Sequence, residues 1–218
     1  MIRVCVICEG QTELAFVKEV LEPHLRDFGL VIIPSLLKTR PGKQGGGDVT
    51  TMRIAQHVKH DYAHFNYVTT LVDFYRFHGK QGHSRASLEA AIIADAQQHA
   101  GGSLPCFKPY VQLHEFEGLL FSDVTKFEWV LLDDWSEHYH NKLLSIRNGF
   151  DTPEMINDSP ETAPSKRLEK IFGRAYDKDG HGVIIAAEIG LQTIREQCPN
   201  FNEWLRWLES LGGQGAQS

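Results

Sequence analysis

The chain has no long apolar run, and this absence argues against a membrane protein. Of its 218 residues, 42% are hydrophobic, yet no segment reaches the ~20 consecutive apolar residues that a membrane-spanning helix requires. The opening residues, Met1 to Cys5, lack the basic start, apolar core and cleavage site of a signal peptide. We therefore expect a cytoplasmic protein with no membrane partner.

Cysteine is scarce as well, which argues against a scaffold held together by disulfide bonds. Four cysteines in a chain of this length are typical of a protein from a reducing compartment. Cys5 and Cys8 have the spacing of a redox pair, but both lie in a predicted strand, where their side chains should point to opposite faces. The sequence thus predicts that these two thiols are buried and inert.

The chain has fewer basic than acidic residues. Lys and Arg number 22 against 28 Asp and Glu, so the formal net charge is -6 at pH 7 with the histidines neutral. A protein that grips nucleic acid through its overall charge is usually basic. Any contact with nucleic acid must therefore be local or depend on a metal ion.

The N-terminal part alternates short apolar segments with amphipathic ones. Four strands are predicted, at Ile2 to Cys8, Leu30 to Leu37, Tyr67 to Asp73 and Phe107 to Leu113. The intervening helices are predicted at Thr12 to Phe28, with a kink or break at Pro23, at Val49 to Asp61 and at Leu88 to Ala100. Strands that alternate with helices indicate an α/β fold, here a mostly parallel sheet flanked by helices.

From His114 onward the pattern becomes helical. Helices are predicted at Glu115 to Asp123, Glu137 to Arg147, Lys166 to Arg174, His181 to Gln197 and Asn202 to Leu211. We therefore expect an α/β core over residues 1–124, a helical C-terminal part over 125–211 packed on it, and a disordered tail over 212–218. The glycine-rich segment 38–48 is either a disordered loop or a flap that closes over substrate and binds phosphate through Lys38, Arg40 and Lys43.

Carboxylates follow three of the four predicted strands. Glu9 comes after the first strand, Asp73 closes the third, and Glu115 and Glu117 come after the fourth. Ligands of open α/β sheets bind outside the carboxyl ends of the strands, so these four acids should face one crevice and repel one another. A divalent cation would relieve the repulsion, and carboxylate oxygens favour Mg²⁺ or Mn²⁺.

The segment that follows the first strand, EGQTE at residues 9–13, is suited to phosphate binding. Gly10 permits a tight turn, Thr12 can cap the next helix, and the N-terminus of that helix can hold a phosphate oxygen. A metal ion beside a phosphate indicates phosphoryl-transfer chemistry. Plainer interpretations stay open: the segment is only a turn and a cap, Asp73 only starts a loop, and the acids after the fourth strand only begin an amphipathic helix.

A basic segment, PSKR at residues 164–167, opens a predicted helix. Lys166 and Arg167 near a helix N-terminus oppose the helix dipole, so their placement suggests a separate partner. Together with Ser165 they are candidates to bind phosphate, Arg167 through a forked contact and Lys166 as a point charge. Lys178 is a weaker candidate of the same kind, and a solvated basic turn is the alternative interpretation of the segment.

Five segments of the chain resemble one known family. They are VICEGQTELAFV (Val6 to Val17), TLVDFYRF (Thr70 to Phe77), PYVQLHEFEGLLFSD (Pro109 to Asp123), PEMINDSPETAPSKRL (Pro153 to Leu168) and CPNFNEWLRWL (Cys198 to Leu208). The chain resembles the bacterial domain-of-unknown-function family 4276, a Toprim-like group related to nucleases of the overcoming-lysogenization-defect type. The resemblance extends over nearly the whole chain.

This resemblance implies a Toprim-type metal site. Glu9 matches the glutamate after the first strand, which acts as general acid/base or metal ligand, and Asp73 matches the first aspartate of the D-x-D pattern. The second aspartate position holds Tyr75, which puts two-aspartate metal binding in question. Glu115 or Glu117 is the candidate substitute.

Two functions from different classes follow as expectations. The first is a Mg²⁺-dependent phosphoryl-transfer enzyme, a nuclease acting on nucleic acid, in which Lys166 and Arg167 offset the charge that develops at the phosphate. The second is a Toprim-like module without catalysis that serves as effector or regulatory partner of an ATPase. The resemblance also implies a role in phage defence, and a phosphate-binding enzyme with a small-molecule substrate is a third, weaker interpretation.

Overall fold

The computed structural model describes residues 1–37, 49–75, 77–157 and 159–213. The segment predicted as a flap or disordered loop, 38–48, lies outside the described residues. In the described part of the chain, no helix is long and apolar enough to cross a membrane.

Five strands form one sheet, and every strand pair in it is parallel. The strands are β1 (Ile2–Cys8), β2 (Leu30–Leu36), β3 (Tyr67–Asp73), β4 (Phe107–Lys108) and β5 (Val111–Gln112). The order across the sheet is β2-β1-β3, with β4 and β5 both pairing with β3. The predicted α/β fold with a mostly parallel sheet is therefore confirmed.

The predicted fourth strand is interrupted in its middle, and this interruption separates β4 from β5. Pro109 lies at the gap and has no N–H to give to the sheet. The hydroxyl of Thr70 on β3 spans the gap instead: it donates to the carbonyl oxygen of Tyr110 at 2.7 Å and accepts from the Tyr110 N–H at 2.9 Å. A side chain thus replaces the missing backbone pairing.

Eleven α-helices are found within the described residues. They are α1 (Gln11–Phe16), α2 (Glu22–Arg26), α3 (Thr51–Asp61), α4 (Arg85–Ala100), α5 (Glu117–Leu120), α6 (Glu128–Leu131), α7 (Glu137–Arg147), α8 (Pro164–Phe172), α9 (Lys178–Ile189), α10 (Leu191–Gln197) and α11 (Pro199–Gly213). Short 3-10 turns lie at Tyr62–His64, Val124–Phe127, Leu132–Asp134, Pro153–Met155, Pro160–Thr162 and Gly173–Ala175.

The first predicted helix is not regular along its length. A π-helical turn (Val17–Leu21) separates α1 from α2, and the N–H of Glu22 reaches back to the carbonyl of Val17. Pro23 follows at once and has no N–H to continue an α-helical pattern. The prediction of an irregularity near Pro23 is confirmed, although the chain stays helical through it.

Most other helix boundaries differ from the predicted ones by a few residues, and two of the differences involve glycines. The predicted helix from His181 to Gln197 is divided at Gly190, whose φ of 77° lies in the left-handed region that favours glycine. At the C-terminus, Gly212 and Gly213 belong to α11 rather than to the predicted tail. Residues 214–218 lie outside the described residues.

The sheet is covered on both faces, each by its own hydrophobic cluster. The cluster on one face contains Val4, Val6 and Cys8 of β1 together with α1 and the helices α9 to α11. The cluster on the other face contains Cys5 and Ile7 together with α3 and α4. The two thiols therefore lie buried on opposite faces and are not bonded to each other, as the sequence predicts.

Candidate active site at the carboxyl ends of the strands

The centre of the candidate site is the end of the two middle strands. Because β1 has β2 on one side and β3 on the other, the chain order reverses here, which is where open α/β sheets bind ligands. Glu9 and Asp73 lie at this point and are 7% and 2% exposed. A carboxylate oxygen of Glu9, Oε2, accepts the N–H of Asp73 at 3.1 Å, and Oδ1 of Asp73 accepts the N–H of Phe116 at 2.9 Å.

The segment after β5 carries the other two predicted acids. Its backbone turns at His114, whose φ of 66° is unusual for a residue other than glycine. The His114 carbonyl accepts the N–H of Tyr75 at 2.8 Å, which ties this segment to the loop after β3. The turn directs Glu115 and Glu117 into different surroundings.

Glu115 accepts hydrogen bonds from the start of a neighbouring helix. Its two carboxylate oxygens accept from Ser165 at the start of α8, from the backbone N–H at 2.9 Å and from the hydroxyl at 3.1 Å. A carboxylate that receives N–H groups at a helix N-terminus stabilises that helix. Ser165 therefore contacts Glu115 rather than an open phosphate site.

Glu117 is fully buried and lies beside a lysine. Oε1 of Glu117 is 2.8 Å from Nζ of Lys178, the first residue of α9. Within the described residues, neither Oε1 nor Oε2 of Glu117 has a hydrogen-bond donor with good geometry, and the buried hydroxyl of Tyr176 has no hydrogen-bond partner either. Buried polar atoms of this kind are rare and call for an explanation such as an ion or a ligand.

A further buried acid, the last residue of the EGQTE segment, joins this site, and the sequence did not predict this role for it. Glu13 is 2% exposed, and its Oε2 accepts the N–H of Gly10 at 3.0 Å, which closes the turn after β1. We call Glu9, Glu13, Asp73 and Glu117 the carboxylate cluster.

Burial and mutual repulsion disfavour negative charge in the carboxylate cluster. Burial raises the pKa of Asp73 well above its ordinary value, and the charges of Glu9 and Glu13 raise it further. Burial also raises the pKa of Glu13, against the attraction of Lys178. For Lys178, burial lowers the pKa, but the attraction of Glu117, Asp73 and Glu13 outweighs it and leaves the pKa above its ordinary value.

The carboxylate oxygens of the cluster suit a hard divalent cation such as Mg²⁺. Two observations favour a cation: neither carboxylate oxygen of Glu117 has a donor with good geometry among the described residues, and burial and mutual repulsion disfavour the negative charge of Asp73. In the part of the chain that the structure describes, however, no three Asp, Glu, His or Cys side chains stand in an arrangement that holds a metal ion. The carboxylate oxygens of the cluster are suitable ligands for the ion. In this structure, however, Glu117 is paired with Lys178.

In the first turn, the residues predicted to bind phosphate make other contacts, and their phosphate-binding role stays a prediction. The N-cap of α1 is Gly10, not Thr12. The hydroxyl of Thr12 instead donates to Oδ1 of Asp179 on α9 at 2.8 Å. The prediction that Thr12 caps the helix is therefore wrong, because the chain enters α1 two residues earlier and Thr12 already lies inside it.

Lys166 and Arg167 make contacts around α8. Nζ of Lys166 is half exposed and lies 2.7 Å from Oε2 of Glu169 on the same helix. Nε of Arg167 donates to the carbonyl of Thr162 at 2.6 Å, and its guanidinium lies 5.4 Å from the centre of the Phe150 ring. These observed contacts join α8 to neighbouring turns, and a phosphate-binding role for the two residues stays a prediction.

A second lysine, Lys80, lies near the site, and no sequence pattern predicts its position there. Nζ of Lys80 donates to the carbonyl of Tyr75 and lies 4.8 Å from the centre of the Tyr75 ring. Burial lowers the pKa of Lys80, and the attraction of Glu115 opposes that shift. The loop that carries Lys80 has no hydrophobic periodicity from which its position could be predicted. The contact with Tyr75 in the folded protein places Lys80 near the site.

Fold and site together define a class: a parallel α/β protein with helices on both faces and a buried carboxylate cluster at the sheet's switch point. The family described as "Domain of unknown function (DUF4276)" matches residues 8–209. The chain belongs to this family, and the match includes both the strand-end carboxylates and the helices that cover them. No curated protein and no solved structure matches the chain.

Proposed function

We propose that this protein is a divalent-cation-dependent phosphoryl-transfer enzyme of Toprim type, and specifically a nuclease. The observation that carries the proposal is the carboxylate cluster at the switch point of the sheet. Four buried acids that repel one another are costly for a fold to keep, and the carboxyl end of the central strands is the expected place for chemistry.

The roles of the residues follow from their positions. Glu9, Asp73 and Glu117 would hold Mg²⁺ or Mn²⁺ through carboxylate oxygens, and Glu13 closes the turn that orients Glu9. When bound, the cation would neutralise a scissile phosphate and activate a water molecule. Glu9 would orient that water, and Lys178 would face the phosphate charge.

Nucleic acid is the proposed substrate, although the chain has a net charge of -6. A polyanion approaches such a protein only where local positive charge or a bound cation compensates. A cation in the carboxylate cluster, with Lys178 and Lys80 close to the acids at the strand ends, would provide this compensation. Cytoplasmic placement and a role in phage defence belong to the same proposal.

Cleavage assays with Glu9→Gln test this function. We expect wild-type protein to cleave single-stranded DNA, duplex DNA or RNA in the presence of Mg²⁺ or Mn²⁺. Glu9→Gln should reduce the rate by about 100-fold or more, because it removes a charged group from the reaction centre. The matched control is Glu19→Gln, an exposed position in the π-helical turn, which should leave the rate unchanged. Undiminished cleavage by Glu9→Gln would overturn the assignment.

Two observations favour a second candidate, a non-catalytic module that acts with an ATPase partner. Tyr75 replaces the second aspartate of the Toprim pattern, and Lys178 already compensates part of the cluster's charge. The acids would then be a structural feature. Co-purification with a co-expressed ATPase, and no cleavage by the chain alone or by the complex, would support this candidate against the first.

A further inference from the structure

Lys178 contacts the carboxylate cluster, where the proposed function places a cation. Its Nζ lies 2.8 Å from Oε1 of Glu117, and its charge also interacts with Asp73 and Glu13. The ammonium of Lys178 thus interacts with acids from three separate segments of the chain, which are α1, the end of β3 and α5.

The backbone that carries Lys178 is held firmly on both sides. Asp177 accepts the N–H of Gly180 at 3.2 Å and caps α9, and Asp179 accepts the hydroxyl of Thr12 at 2.8 Å. These contacts hold the start of α9 against α1 without involving the side chain of Lys178.

The side chain of Lys178, in contrast, can move. It consists of a flexible four-carbon stem with a charged end, and 34% of its surface is exposed. Because part of this side chain already reaches solvent, rotations about its bonds are the motion by which Nζ would leave Glu117. Its departure would leave Oε1 and Oε2 of Glu117 without any observed donor among the described residues.

We propose that Lys178 is an exchangeable counter-ion: its ammonium neutralises the carboxylate cluster until a divalent cation enters, and it then leaves Glu117 and faces the phosphate of the substrate. This inference rests on the proposed function. Its physical basis is that an ammonium and a divalent cation repel each other strongly at contact distance in a partly buried site. Contact of both ions with the same oxygen of Glu117 is therefore disfavoured.

The exchange has a measurable consequence for cation affinity. Displacing Lys178 costs part of the binding free energy of Mg²⁺ in the wild type. Lys178→Met keeps a long apolar stem and removes the charge, so Mg²⁺ should bind at least about tenfold more tightly to this variant, because one competing positive charge is gone.

Calorimetric titration with Mg²⁺ tests the exchange directly. The three proteins to compare are the wild type, Lys178→Met and Lys170→Met, the last being an exposed lysine in the last turn of α8. We expect tighter binding only in Lys178→Met. Equal or weaker binding by Lys178→Met would overturn the exchange, because the lysine would then support the cation rather than compete with it.

Thermal unfolding shows whether an altered Mg²⁺ affinity of Lys178→Met results from a folding defect. Without Mg²⁺, Lys178→Met should melt below the wild type, because the cluster has lost its counter-ion. With Mg²⁺, its melting temperature should rise by more than that of the wild type. Lys178→Arg, which keeps the charge, should show no such gain, and an equal gain in both variants would contradict the proposal.

The outcomes separate this inference from the proposed function. Glu9-dependent Mg²⁺ binding by the wild type without any gain in Lys178→Met would overturn the exchange and leave the enzyme proposal standing. Absence of Mg²⁺ binding in both proteins, even with a non-hydrolysable phosphodiester present, would overturn both.

Discussion

The ionisation of the buried acids should govern how the stability of this protein depends on pH. Burial, and then repulsion from Glu9 and Glu13, raises the pKa of Asp73 well above its ordinary value. A carboxyl group with a raised pKa in the folded state binds its proton more tightly when folded than when unfolded. Its contribution to the free energy of unfolding therefore decreases as pH rises from the unfolded pKa through the folded one. The pKa of Glu13 shifts in the same direction.

We predict that Asp73→Asn stabilises the protein at about pH 8, where the unfolded acid is fully ionised, by about 1 kcal/mol or more. The amide removes a disfavoured charge, and its oxygen can still accept the N–H of Phe116, as Oδ1 of Asp73 does. At a second, acidic pH closer to the ordinary pKa of an aspartate the difference should shrink, because the raised pKa of Asp73 makes the folded wild type bind the proton before the unfolded chain does. Urea unfolding at the two pH values measures this.

The control for this change is Asp133→Asn, at an exposed position. It should alter the free energy of unfolding by less than about 0.5 kcal/mol at either pH. Lower stability of Asp73→Asn at the higher pH would mean that Lys178 more than compensates the burial of Asp73. The same variant should lose Mg²⁺ binding, which is the expected trade between stability and function.

Among the secondary-structure elements, the close packing of α9 on α1 decides whether the site forms. Gly182 makes this approach possible: a Cβ atom there would lie 3.0 Å from Cγ2 of Thr12 and 3.8 Å from the ring of Phe116. Both contacted side chains are buried. Since Lys178 lies one turn before Gly182 on the same helix, a shift of α9 would also displace its ammonium.

Gly182→Ala should therefore destabilise the protein by about 1 to 3 kcal/mol, the usual cost of overpacking a tight contact. Thr12→Ser removes the obstructing Cγ2 and keeps the hydroxyl that donates to Asp179. The double variant should recover most of the lost stability. Chemical denaturation of the single and double variants measures the coupling between the two positions.

Gly102→Ala is the matched control, since an added Cβ there meets nothing within 4 Å. It should be neutral or slightly stabilising. If the double variant were as unstable as Gly182→Ala alone, the contact with Thr12 would not be the source of the strain.

For the whole molecule, the C-terminal helices complete the core of the N-terminal sheet. Val4 and Val6 of β1 share one hydrophobic cluster with Trp204 and Leu205 of α11. Trp204 also donates from Nε1 to the hydroxyl of Thr69 on β3 at 2.9 Å and stacks on Tyr110 with ring centres 4.7 Å apart. Removing α11 would expose this face of the sheet to water.

We predict that the chain unfolds in a single cooperative transition, because its two parts bury the same apolar surface. Suitable probes are already present in the sequence. All four tryptophans lie after residue 124 and report on the helical part, while Cys8 is a buried thiol of β1. Tryptophan fluorescence and thiol labelling of Cys8 should give the same urea midpoint.

Separate midpoints for the two probes would contradict this prediction and would show that the helical part is an independent domain. A chain ended at residue 124 gives a second check. It should fail to form a cooperatively folded protein, since much of the cluster around Val4 and Val6 would be missing.

The sequence by itself determined the strands and the acids at their ends. β1 and β3 begin and end at the predicted residues, because short runs of Val, Ile and Leu between polar turns have few alternatives to a buried strand. Parallel strands bring their carboxyl ends to one edge, so the closeness of Glu9 and Asp73 followed from local pattern alone. The opposite placement of Cys5 and Cys8 followed from strand alternation.

Only the tertiary structure decided which charges share the site. Glu115 and Glu117 differ by two positions in the sequence, yet one stabilises α8 and the other faces Lys178. Lys178 reaches the carboxylate cluster because α9 packs against α1, where the hydrogen bond from Thr12 to Asp179 joins residues 167 positions apart in the chain. Periodicity and capping patterns describe neighbours along the chain, so they cannot reveal a partner that arrives through the packing of distant helices.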